Sequence, residues 1–443
     1  MTLADTTARR LQLLLAKDQV AGRLPSVVGG VVRDGALVWH GSYGAPTGPD
    51  VQYRIGSITK TLVAVVVLQL RDEGLLDLND RLDQHLPGVG YGDRTIRSLL
   101  SHSSGMHSEP AGEWWERTPG GSFDELAAHL ADVPPAFPAG ATFHYTNIAF
   151  GLLGEVVARL TGRPWFEAVR ARVLDPLGMT RTSYLPEQPA AQGYSVHHFA
   201  GTLDEEPAHD AGAMAPAGQV WSTVEDLARY AAFLAGGDER VLADATLDEM
   251  ATPQSGSLAG ATSGGYGLGF RLVAGGGGVL LGHTGSMPGF LAGLFADRSR
   301  RTAALVLANG TSGLRCEGLP VDLLRTLEEL EPTLPPAWEP STDVPATVAD
   351  VLGVWHWGNT AYAFAWNGNA VVASMLGNGA ESHRFALREG ELVGVRGYHH
   401  GETLRVCRDT SGRVTHLVCA TFVYTRVPYD ASAPIPGGPP RGQ

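Results

Sequence analysis

Lysine is almost missing from this sequence. Of its 33 basic residues, only Lys17 and Lys60 are lysine and the other 31 are arginine. Cysteine is nearly as scarce: Cys316, Cys407 and Cys419 are too few, and odd in number, for a disulfide framework. The longest apolar run, Leu62 to Leu68, is far below the roughly 18–20 residues of a membrane span. No secretory signal opens the chain, since Leu11, Leu13, Leu14 and Leu15 run at once into Lys17 and Asp18 and read as an amphipathic helix. The expected compartment is therefore the cytoplasm. Positive charge is in deficit, with a net charge of -13, which excludes a surface built for nucleic acid or an anionic membrane. Neither lysine follows a phosphate-loop glycine run, and neither H-E-x-x-H nor G-x-S-x-G occurs. The pairs His197-His198 and His399-His400 lack zinc-site spacing, so no metal and no cofactor are expected.

What is present is a globular composition, 44% apolar and 18% charged over 443 residues, long enough for two or three domains. Residues 26–42 read as two strands joined by an Asp34-Gly35 turn. A buried helix is expected from Gly56-Ser57 through Leu70, ending near Gly74, with further helices over 122–132 and 147–161. Ser222 and Glu225 form a capping box for a helix over 223–235. Strands are expected over 267–273, after a Gly275–Gly278 turn over 279–282, and over 290–296 and 302–309, before a helix over 319–330. The fold class is α+β: an antiparallel sheet with flanking helices and an inserted helical lobe over 1–331. Residues 332–346 hold five prolines and read as a linker. Residues 347–427 alternate between short apolar segments and turns, an all-β barrel-like domain, and 428–443 read as a disordered tail.

The chemistry-bearing residues begin with Ser57-Ile58-Thr59-Lys60. Positions i and i+3 share a helix face, so the Lys60 amine can reach the Ser57 hydroxyl. A serine is a poor nucleophile until a base takes its proton, and a lysine, unlike an arginine, can be that base. Tyr145-Thr146-Asn147 follows 88 residues after Ser57, directly before a helix, and His283-Thr284-Gly285 lies 138 residues after Tyr145, between two expected strands.

In this order S-x-x-K, Y-x-N and [KH]-T-G resemble the penicillin-binding-protein and class C β-lactamase family of serine hydrolases. Leu99-Leu100-Ser101-His102-Ser103-Ser104-Gly105-Met106, Pro216-Ala217-Gly218 with Ser222-Thr223, and Tyr266-Gly267-Leu268-Gly269-Phe270 are similar to further segments of that family. The resemblance spans roughly residues 20–330. It implies a β-lactamase-like fold, Ser57 as the acyl-forming nucleophile, Lys60 as holder of the proton network, and Tyr145 as a general base whose phenol pKa is lowered by the neighbouring cation. It further implies that Asn147, His283, Thr284, Gly285 and Ser286 bind substrate, the amides of Ser57 and Ser286 forming the oxyanion hole. His102 reads as the organiser of its loop. His283 stands where class C β-lactamases have lysine, so the resemblance leans toward the DD-peptidase, D-aminopeptidase and esterase branches. The expected partner is a small-molecule or short-peptide ester or amide, attacked through an acyl-serine and passed to water or another acceptor. The alternatives are a DD-carboxypeptidase or class C-like β-lactamase, or a catalytically silent binder of peptidoglycan fragments. The C-terminal module is similar in architecture to barrel domains appended to D-aminopeptidase-like members.

Overall fold

The computed structural model describes residues 3–44, 48–256, 265–275, 278–334, 337–340 and 343–428. The chain divides into two compact units, Met1–Thr333 and Leu334–Gln443. In the first, α1 (Asp5–Gly22) leads into the hairpin β1 (Ser26–Arg33) and β2 (Ala36–Gly44), followed by β3 (Tyr53–Arg54). The helical lobe holds α2 (Ile58–Asp72), α3 (Leu82–His85), α4 (Ile96–Leu100), α5 (Phe123–Leu130), α6 (Asn147–Thr161), α7 (Trp165–Val169) and α8 (Asp175–Leu177). The strands β4 (Tyr194–Val196) and β5 (Leu203–Glu205) pair with each other, and β6 (Trp221–Ser222) pairs with β3. After α9 (Val224–Gly236) and α10 (Asp244–Met250) come β7 (Ser255–Gly256), β8 (Gly265–Tyr266), β9 (Arg271–Gly275), β10 (Gly278–Met287), β11 (Phe290–Asp297), β12 (Thr302–Ala308) and α11 (Gly318–Leu330).

The main sheet is antiparallel with order β2-β1-β12-β11-β10-β9-β8-β7. Its central strands are buried on both faces. Val28 and Val32 of β1, with Leu305 and Leu307 of β12, join the core shared with α2, α6 and α9. Val27 and Val31, with Ala304 and Val306, face the layer made by α1 and α11. Period-two alternation therefore feeds two cores, which is why these strands read as continuous apolar runs. Each buried valine or leucine contributes about 1.5–3 kcal/mol, and α2 buries 13 consecutive residues, Ile58 to Leu70.

The second unit holds a short helix, α12 (Ala346–Ala349), where the expected linker ends and the domain expected to be all-β begins. Strands β13 (Gly353–Trp357), β14 (Thr360–Trp366), β15 (Ala370–Met375), β16 (Glu381–Arg388), β17 (Glu391–Gly397), β18 (Thr403–Arg408), β19 (Val414–Cys419) and β20 (Phe422–Thr425) then close into a barrel. Val348 and Val351 pack with Trp355 in its core, and the Trp355 indole donates to the Val351 carbonyl at 2.7 Å.

Three expectations need correction. The strand expected over 267–273 begins only at Arg271: the Gly267 N–H turns back to the Phe270 carbonyl, and Gly269, at φ +81°, donates to the Leu100 carbonyl, so the chain leaves the sheet to meet the lobe. His283-Thr284-Gly285 lies inside β10, paired with Leu294, Gly293 and Ala292 of β11; Gly282 and Gly285 break the apolar signal without breaking the strand. The cap of α9 is Thr223, whose hydroxyl accepts from the Asp226 N–H, while Ser222 belongs to β6 and bonds Thr182. The centre of the expected Gly275–Gly278 turn, part of the linker and all but the first residue of the tail expected over 428–443 lie outside the described residues.

Candidate active site

Ser57 is the N-cap of α2, yet its side chain caps no helix N–H. Its hydroxyl is instead held by the Lys60 ammonium at 2.9 Å, one helical turn on, and by a hydrogen bond with Tyr145. Lys60 is wholly buried and its other donors go to Asn147 Oδ1 at 2.7 Å and the Ala217 carbonyl at 2.6 Å. All three acceptors are uncharged. Burial without a carboxylate contact lowers the Lys60 pKa to about 7, a fall that the more remote Glu109 and Glu116 oppose.

Tyr145 and Asn147 arrive at the start of α6, which Thr146 caps by accepting the Ala149 N–H. His102, at φ +53°, accepts the Thr146 N–H on Nδ1 at 3.1 Å and the His144 N–H on its carbonyl at 2.8 Å. Its ring lies 4.2 Å from that of Tyr145 between centroids. His102 thus holds the turn that presents Tyr145. The pKa of Tyr145 is raised, chiefly by burial and against the pull of the Ser57 hydrogen bond. The shift therefore runs against the expected lowering by a neighbouring cation, because desolvation of the phenolate outweighs the Ser57 hydrogen bond and the pull of Arg271.

The third wall is β10. The His283 Nδ1 pairs with the Thr284 carbonyl, an acceptor only, so Nδ1 carries the proton and Nε2 accepts from the Tyr266 hydroxyl at 2.9 Å. Burial, with Lys60 nearby, drops the His283 pKa to about 3 and leaves the ring neutral. Gly56, at φ +53°, lies against this strand, where a Cβ would sit 2.4 Å from the Ser286 nitrogen. Only glycine lets the nucleophile turn come this close to the Ser286 amide.

Ser57, Tyr145, Asn147, His283, Thr284, Gly285 and Ser286 line one cleft of about 630 Å³, with Lys60 beneath it. The cleft also exposes residues that sequence reasoning missed. Glu109 accepts from Asn147 Nδ2 at 2.6 Å and from the Trp115 indole at 2.7 Å, and burial raises its pKa. Glu116 lines the same wall, while Arg271 is tied to Glu317 at 2.7 Å. Neither Glu109 nor Glu116 forms an ion pair among the described residues. They sit on an irregular stretch over 107–121, where periodicity carries no signal; only the clustering of Glu109, Glu113, Glu116 and two tryptophans marks it.

The profile of the beta-lactamase family matches residues 11–325, and a domain of unknown function, DUF7586, matches 344–426. The chain belongs to the beta-lactamase family and is a serine hydrolase of that fold. It is 31% identical over 299 residues to penicillin-binding protein 4 of Amycolatopsis lactamdurans, covering 62% of this chain and 76% of that protein. It spans about half the length of two other curated relatives, 48% and 46%. Among solved structures, a D-stereospecific amidohydrolase from Streptomyces sp. aligns with TM-score 0.60 and 29% identity over 73% of this chain and 98% of that one. A penicillin-binding protein homologue from Pyrococcus abyssi aligns over 96% and 100% with TM-score 0.67, at 21% identity a likeness of fold. Among the described residues, no helix is long and apolar enough to cross a membrane.

Proposed function

We propose that the protein is a serine amidohydrolase that forms an acyl-Ser57 intermediate from small amides or esters carrying a free cationic amine, with D-amino-acid amides as the favoured class. The observation that supports this most directly is the neutral-prone Lys60 amine 2.9 Å from Ser57 Oγ. Lys60 takes the Ser57 proton as the hydroxyl oxygen attacks the carbonyl carbon. The amides of Ser57 and Ser286 receive the oxyanion. Tyr145 stays protonated and relays the proton from Lys60 to the leaving nitrogen, so it acts as a phenol and not as a phenolate. Water then cleaves the ester by the same path in reverse. A silent binder of peptidoglycan fragments has no use for a desolvated amine poised on a serine.

The charge of the cleft supports the substrate class. A β-lactam or a peptide ending in a carboxylate needs a cationic anchor, but His283 is neutral and Arg271 is engaged by Glu317. Glu109 and Glu116 instead suit an ammonium. The D preference follows the likeness to the D-stereospecific amidohydrolase.

The test is a panel of D- and L-amino-acid amides with their N-acetyl counterparts, nitrocefin and N-acyl-D-Ala-D-Ala, with acyl-Ser57 read by mass spectrometry. Free D-amino-acid amides are expected to lead, N-acetylation costing about 10²-fold in kcat/KM. Preference for nitrocefin or the N-acylated peptide would refute the amine reading, and an adduct on another serine would refute the site.

A further inference from the structure

The barrel unit holds polar groups in a place where its fold does not need them. Its core is built from Trp355, Phe364, Phe385, Leu392 and Leu417, yet His399, Cys419 and Tyr424 are as fully buried as these. Burying polar groups in such a setting costs free energy unless they meet one another, so their clustering asks for a reason.

The geometry points to a zinc site: we propose that His399 Nδ1, a Glu402 carboxylate oxygen and Cys419 Sγ bind one zinc ion inside the barrel. The two segments that carry them, the β17–β18 connection and the end of β19, converge on one spot. Nδ1 lies 2.7 Å and Sγ 3.7 Å from the same Glu402 oxygen, and the three ligand atoms are all within 4.8 Å of one another. Bonds of about 2.0–2.3 Å in a tetrahedral arrangement put ligand atoms roughly 3.3–3.8 Å apart, inside the range these atoms span. The other imidazole nitrogen, Nε2, meets the Tyr424 hydroxyl at 2.9 Å, which fixes the ring with Nδ1 toward Glu402. A second, independent observation comes from His383. It is 7% exposed, its ring centre lies 4.7 Å from that of His399, and its Nδ1 has no hydrogen-bond partner among the described residues.

The sequence reading excluded a metal because adjacent His399-His400 lacks zinc spacing. The fold replaces His400 by Glu402 and brings in Cys419 from 17 residues on. Nitrogen, sulfur and one oxygen are a donor set for zinc and not for magnesium or calcium, which take oxygen ligands. The Glu402 side chain is 40% exposed, so an ion has a way in, and water fills the fourth position. Binding releases the Cys419 thiol proton to solvent. The His399 proton moves from Nδ1 to Nε2, where it is donated to the Tyr424 oxygen.

The experiment uses the full chain. Protein purified from zinc-supplemented growth is assayed for metal, then stripped with a chelator and titrated with cobalt(II). About one zinc per chain is expected, together with the intense near-ultraviolet thiolate-to-cobalt band. That band should vanish in Cys419→Ser and persist in Cys407→Ser, and Tyr424→Phe should weaken zinc binding by about 10-fold or more. The wild-type titration decides even if a variant fails to fold. Folded wild type with less than about a tenth of an equivalent of zinc and no cobalt band would overturn the site. The cluster would then be a hydrogen-bonded Glu402–His399–Tyr424 chain and nothing more.

Discussion

A lysine that shares its three protons among a serine hydroxyl, an amide oxygen and a main-chain carbonyl is held by dipoles alone. Dipoles soften the loss of water but do not replace a counter-ion, and the amine responds by giving up its charge near neutrality. The sign of the pH dependence follows. The base is Lys60 without its proton, so single-turnover acylation should rise with pH through about 7 and then level off. Tyr145 does not cut the plateau short, since its pKa lies above the ordinary phenol value. Lys60→Arg should fold with an unchanged circular-dichroism melt and lose acylation by about 10³-fold or more, because a guanidinium cannot deprotonate. An Arg variant retaining more than about a tenth of the wild-type rate would end the assignment of Lys60 as base. The same residue shows what a sequence can disclose. In a chain with two lysines, Ser57-Ile58-Thr59-Lys60 stands out by scarcity and by helical spacing. The sign of the Tyr145 shift was not legible, because it depends on how much protein surrounds the phenol.

Between single residues and the whole chain stand the elements that carry them. The start of α2, the start of α6 and the strand β10 each deliver one part of the site, and the two helix starts could be placed from local signals, an apolar run after Ser57 and a helical pattern directly after Tyr145-Thr146. The mutual approach of all three could not. It depends on Gly56 lying against Ser286, a contact between positions far apart in sequence. The same limit explains Glu109 and Glu116, which sit on an irregular stretch fixed by indole and amide bonds and not by any periodic pattern. It also explains why the sequence ends the expected strand at Gly282, short of His283-Thr284-Gly285, since glycine interrupts hydrophobic periodicity while leaving main-chain pairing intact. Gly56→Ala tests the approach of the elements. The new methyl group meets the Ser286 amide at 2.4 Å, so β10 must shift and the two oxyanion donors separate. Acylation should fall by about 10²–10³-fold, while Lys60, whose hydrogen bonds go to Ser57, Asn147 and Ala217 and not to β10, keeps its acid limb near pH 7. Equal rates for the two proteins would show that the Ser286 amide takes no part.

At the scale of the molecule, the two hydrophobic clusters of the first unit and the single cluster of the second share no residue. A chain ending at Thr333 should therefore fold, melt cooperatively and still be labelled at Ser57 by a fluorophosphonate. An insoluble or unlabelled fragment would show that the division seen in the contacts is not a division in stability. Within the first unit, β1 lies directly beside β12, so Val27 to Arg33 wait for Thr302 to Ala308 before the middle of the sheet exists. Pairings this remote form late. During synthesis or refolding, Ser57 and Lys60 are present as a helix start long before Ser286 arrives. Without the sheet and lobe around it Lys60 is hydrated, charged and no base at neutral pH. The unfinished chain is thus chemically silent toward the amides and esters around it. Reactivity switches on with the last strand, and a serine-directed probe added during refolding becomes a clock for completion of the sheet.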